Sequence, residues 1–64
     1  MHEGVYVIRD YNGVRLKRLR VDREKQLHVI SDNKYYPEEI YTPNECEIGE
    51  VAIIGKVIWV GREV

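Results

Sequence analysis

The chain has 64 residues, 44% of them hydrophobic and 33% charged, and its net charge is −1. That length holds one domain at most, residues 1–64, with a marginal core, because a chain of about 60 residues buries only about 60% of its unfolded surface. The near-neutral balance excludes a global field for nucleic acid. A single cysteine, Cys46, excludes an internal disulfide and points to a reducing, cytoplasmic compartment. No apolar run is long enough for a transmembrane helix.

Met1-His2-Glu3-Gly4 leads straight into a strand pattern, so no signal peptide is expected. The abrupt start suggests a piece of a longer protein. Val5–Asp10 is β-branched and aromatic and reads as a first strand. Asn12-Gly13 is a strong hairpin signal, because both residues accept positive φ at low cost. The second strand spans about 14–21. Alternation puts Arg15, Lys17, Leu19 and Val21 on one face and Val14, Leu16, Arg18 and Arg20 on the other. Asp22–Lys25 is a polar turn, and Gln26–Ser31 a third strand in a meander.

Asp32–Pro37 breaks the pattern. Pro37 cannot donate to a ladder, so Glu38–Tyr41 is expected as a short edge strand. Thr42, Pro43 and Glu45 carry the spacing of a capping box with proline in the first turn, predicting one helical turn that Gly49 ends. Val51–Val60 is apolar on both faces and is expected to be covered on both, with a bulge or bend at Gly55. Covering both faces is difficult in so short a chain, which makes this strand the candidate partner surface.

His2, His28 and Cys46 match no ligand spacing, so neither a metal nor a cofactor is expected. Cys46 has no histidine nearby in sequence to activate it. Six basic residues fall between Arg15 and Lys25, but no aromatic interleaves them as in a single-strand-binding platform. A solvated strand protecting a sheet edge accounts for most of that charge. Lys17 differs from its neighbours: Leu19 and Val21 share its face, so its stem should lie along buried surface. A lysine acts as a general base only when burial disfavours its charged form. Ser31 is the only serine, and its place before Asp-Asn is that of a turn residue.

The segments GVYVIR, RLKRLR, LHVISDNKYYPEEI and VAIIGKVIWVGR, running from Gly4 to Arg62, resemble the C-terminal domain of LexA-type and phage repressors. That family comprises self-cleaving serine–lysine peptidases related to bacterial signal peptidases. The resemblance implies an all-β fold, a small, strongly curved antiparallel sheet of about five strands. It implies that Lys17 is the general base and that Asp32, Asn33, Tyr36 and Pro37 match the family's DN-x-x-YP segment, with Lys34 where relatives often carry proline. Val57, Ile58, Trp59 and Val60 fall on the strand that contributes to the dimer interface in several relatives. The family's nucleophile lies in a Ser-Met motif upstream of the first strand seen here, and Ser31 does not match it. The expectation is therefore an oligomerisation and autocleavage-type domain of a transcriptional repressor, inactive alone as a peptidase. It would self-associate, and DNA would be met only through an N-terminal domain absent from this chain. The alternative is a small β-barrel that binds nucleic acid or protein through the basic strand. The two differ in whether the chain self-associates and whether it binds nucleic acid in a salt-sensitive way.

Overall fold

The computed structural model describes residues 2–58. The chain builds one five-stranded antiparallel sheet from β1 (Gly4–Asp10), β2 (Gly13–Val21), β3 (Leu27–Ile30), β4 (Glu39–Tyr41) and β5 (Ala52–Lys56), with one short helix, α1 (Pro43–Glu47), between β4 and β5. The strand order is β4-β3-β2-β1-β5. The first four strands meander, and the chain then crosses back to pair β5 with the free side of β1. All-β architecture and five strands agree with the sequence pattern.

Two tight turns set the register. In the first, Asp10 pairs with Gly13 around Tyr11-Asn12, and the Asn12 N–H donates to Asp10 Oδ1 at 2.8 Å. Only Gly13 takes positive φ there, at 106°. The expectation that Asn12 would share it fails, because the side chain of Asp10 satisfies the Asn12 backbone instead. In the second turn, Asp22 closes on Gln26 and Lys25 through backbone bonds of 3.1 Å. Asp22 Oδ1 also accepts from the N–H groups of Glu24 and Gln26, at 2.9 and 3.0 Å.

Alternation then sorts the side chains. Tyr6 stands opposite Lys17, Gly4 opposite Leu19, Leu19 opposite Val29 and Leu27 opposite Tyr41, so these residues share one face. That face holds the core: Tyr6, Ile8, Leu19, Leu27 and Val29 are buried, joined by Val51 from the crossover and flanked by Tyr41 and Cys46. Ile8 and Leu19 are fully buried. The other face carries Val5, Val7, Val14, Leu16, Arg18, Arg20, His28, Ile30 and Ile40. Among the described residues this face stays largely open: Val14 and Leu16 are 65% and 63% exposed, and of the residues on it only His28 is buried.

α1 forms as its capping residues dictate. Thr42 accepts from the Glu45 N–H at 3.2 Å and the Glu45 carboxylate accepts from the Thr42 N–H at 2.8 Å, with proline inside the first turn. Gly49, at φ 87°, carries the chain out.

Two expectations are corrected. The basic strand β2 is not an edge: it lies in the middle of the sheet, because β1 and β3 are its hairpin neighbours on either side. β5 is not covered on both faces. It is an edge strand, paired only with β1, and Ile53 and Ile54 are about half exposed. Its register slips opposite Val7 and Ile8, which pair with Gly55 and Ile53 and leave Ile54 as the extra residue. This is the bulge expected near Gly55, and it turns Ile54 out of the alternation.

Candidate functional site

β2 places Lys17 on the core-facing side of the central strand, half-buried, while its chain neighbours Leu16 and Arg18 are exposed on the opposite side. Tyr6 flanks Lys17 on β1. On β3 the ladder pairs Arg18 with Ile30, so the next position along, Ser31, comes level with Lys17. A shallow cleft of about 80 Å³ opens there, lined by Arg15, Lys17, Val29, Ser31, Tyr36, Pro37 and Glu39. Lys17 Nζ lies 5.9 Å from the centre of the Tyr36 ring, within cation–π range. The loop residues divide as adjacent aromatics must: Tyr35 is fully in solvent, and Tyr36 leans over the cleft.

The cleft thus gathers two cations, one carboxylate, one hydroxyl and an aromatic wall. Neither Arg15 nor Lys17 has a carboxylate within ion-pair distance among the described residues. Ser31 Oγ accepts from the Asn33 N–H at 3.3 Å, and no hydrogen bond joins it to Lys17 among the described residues. An activated nucleophile requires its base at about 2.6–3.2 Å. Ser31 therefore serves the loop as the turn residue that its sequence context predicts, although strand pairing brings it beside the lysine.

The other expected site residues lie apart. Val57 extends the β1–β5 ladder, its N–H donating to Val5 O at 2.8 Å, and Ile58 is 76% exposed. Trp59 and Val60 lie outside the described residues. Arg18 reaches Asp32 at 3.9 Å on an open surface. Cys46 packs beside the core, and burial, then the neighbouring Glu45 charge, pushes its thiol above its ordinary range. That is the opposite of what a thiolate nucleophile requires.

The most elaborate polar cluster has no signature in residue spacing. His28 stands on the outer face of β3 with its ring buried. Its Nε2 lies 2.7 Å from Asp22 Oδ2 and its Nδ1 2.6 Å from Glu38 Oε2. A neutral imidazole carries one N–H, so bonding a carboxylate at each nitrogen requires the imidazolium. The bond to Asp22, then that to Glu38, lifts the His28 pKa above its usual 6.5, against burial and the nearby charge of Arg20. The same bond is the largest cause holding Asp22 below its usual 3.8. Asp22, His28 and Glu38 are spread over seventeen positions, and only the strand register brings them together.

No family model, curated protein or solved structure matches the chain. Among the described residues no helix is long and apolar enough to cross a membrane.

Proposed function

We propose that this chain is the C-terminal part of a repressor-type serine–lysine peptidase domain, acting by self-association and without peptidase activity of its own. The observation that carries the self-association is the uncovered apolar surface. Val14 and Leu16 lie open on the outer face beside Val5 and Val7, and the free edge strand β5 separately exposes Ile53, which pairs with Ile8 on the core-facing side, and the bulged Ile54. Contiguous apolar surface of this kind on a small domain marks a contact with another protein. A free strand edge offers backbone pairing as well.

The place of Lys17 supports the peptidase-type part of the reading. It is half-buried on the core-facing side of the central strand, the strand on which the resemblance places the general base. The nucleophile it would serve is not Ser31, whose oxygen is engaged by its own loop. The nucleic-acid alternative draws less support. The basic run divides between the two faces of a central strand, with Arg15 and Lys17 on one and Arg18 and Arg20 on the other. The sheet also ends in two unpaired edges, β4 and β5, with no closed barrel among the described residues.

Sedimentation equilibrium tests the reading. The chain is expected to form dimers or higher oligomers as concentration rises, and Ile58→Glu and Trp59→Glu are expected to shift the equilibrium to monomer. A single monomeric species persisting to about 1 mM, a concentration that populates even weak complexes, would overturn it.

A further inference from the structure

The connection from Ser31 to Glu38 forms one wall of the Lys17 cleft through Tyr36 and Pro37. Most of its own polar contacts are internal. The Tyr36 N–H donates to Asn33 O at 3.1 Å, the Tyr35 N–H to Asn33 Oδ1 at 3.0 Å, and the Asn33 N–H to Ser31 Oγ. Its ties to the sheet are few. The Arg18–Asp32 pair is long and solvent-exposed, and such pairs contribute little. The cation–π contact of Tyr36 is made by an exposed ring. The short bond from Glu38 to His28 is different in kind. It fixes the residue directly after Pro37 to the middle of β3, and through the same ring to Asp22 in the β2–β3 turn.

We propose that His28 is a proton-operated latch. As the imidazolium it ties Glu38 to Asp22 and so holds residues 31–38 as a wall of the Lys17 cleft; as the neutral ring it releases that wall. The release follows from hydrogen-bond stoichiometry. A neutral ring has one N–H to give, so one of the two carboxylates is left facing a nitrogen lone pair. Asp22 is held further by the N–H groups of Glu24 and Gln26, whereas Glu38 has no second partner among the described residues. Glu38 is therefore the one that lets go. The charged groups facing His28 are Arg20 from β2, with Nη2 3.4 Å from Nδ1, Asp22 from the turn and Glu38 from the segment before β4. The β4 residue paired with His28 is the uncharged Ile40.

The sign follows from linkage. His28 has a raised pKa in the folded state, so its contribution is complete below 6.5 and is lost as pH rises through the folded value. Asp22 has a lowered one, so its contribution is complete above 3.8 and is lost only as pH falls through the folded value. The latch is closed between the two and opens on the alkaline side. It depends on the geometry of the cleft and not on the repressor reading, which sedimentation tests separately.

An NMR titration of the whole chain from about pH 5 to about pH 9, a range that spans ordinary histidine titration, reads the latch directly. The His28 ring is expected to titrate with a midpoint above 6.5, and the Tyr36 and Glu38 amide resonances are expected to move with the same midpoint. In His28→Gln those amides should sit at their alkaline positions throughout, with the transition lost. Glu38→Gln, a change in an exposed residue that spares the fold, should abolish the Tyr36 transition while leaving the His28–Asp22 bond. Tyr36 and Glu38 resonances that stay fixed while His28 titrates, or a His28 midpoint at or below 6.5, would overturn the proposal.

Discussion

Lys25 is the one non-glycine residue among those described with positive φ, at 65°. It closes the β2–β3 turn at the position where glycine or asparagine is usual, because a Cβ in the left-handed region crowds the backbone at a cost of about 1–2 kcal/mol. Glycine there removes the crowding but adds about 0.5–1 kcal/mol of lost backbone freedom on folding. Lys25→Gly is therefore expected to stabilise the chain by about 0.5–1 kcal/mol. That is a rise of a few degrees in a thermal melt, at about 4–8 °C per kcal/mol for a domain of this size. An unchanged or lower melting temperature would count against the strain. The turn is tolerated because Asp22 accepts from the N–H groups of Glu24 and Gln26 and also bonds His28, so Asp22 belongs to both the strained turn and the latch. None of this was legible from residue type. Asp-Arg-Glu-Lys announced a polar turn and nothing of its handedness, and His28 read as an incidental histidine because its partners lie six and ten positions away.

The elements were more legible where local chemistry alone decides them. The capping box of α1 is written in Thr42, Pro43 and Glu45, and every bond of it forms. Because α1 is only five residues long and buries no side chain, its cap is much of what holds it. Thr42→Ala is expected to cost about 1 kcal/mol, lowering the melting temperature by about 4–8 °C; a change within error would mean that packing of Cys46 against the core suffices. Alternation along β2 likewise told which side Lys17 shares with Leu19. It could not tell where β2 lies in the sheet. Charge density suggested an edge, yet hairpins on both sides made β2 central, and its arginines then divide between the cleft and the open face. For β5 the apolar run was read as a covered strand, whereas apolar character alone does not say whether the cover belongs to this chain or to another.

At the scale of the molecule, one sheet face is all that 64 residues can bury. Among the described residues the core is six residues, and the second face stays largely open, apolar around Val14 and Leu16 and polar around His28. Lys17, the cleft and the latch all sit where β2, β3 and the connection to β4 meet, so the site is built from the part of the chain that is contiguous in sequence. The uncovered outer surface, by contrast, is centred on β1 and β2, with β5 as the adjoining free edge. The proposed latch and the proposed contact surface thus lie in different regions, and changes at Ile58 that disrupt association should leave the His28 titration unaltered.

The strand order also sets a sequence in time. β1, β2 and β3 close through turns of a few residues, but Ile8 and Ile53 pair across about 45 positions. Each doubling of loop length adds about 0.6 kcal/mol of closure entropy, so this pairing is about 2 kcal/mol harder to nucleate than the five-residue β2–β3 connection. β5 should therefore dock last, after a transition state built on the meander. In stopped-flow refolding, Ile53→Val is expected to speed unfolding and leave the folding rate nearly unchanged, whereas Leu19→Val should slow folding; equal effects on folding would refute that order. Until β5 arrives, Val5, Val7 and Ile8 sit on an unpaired strand edge. Every nascent copy passes through an interval in which another chain's strand can take the place of its own, so yield on refolding should fall with protein concentration.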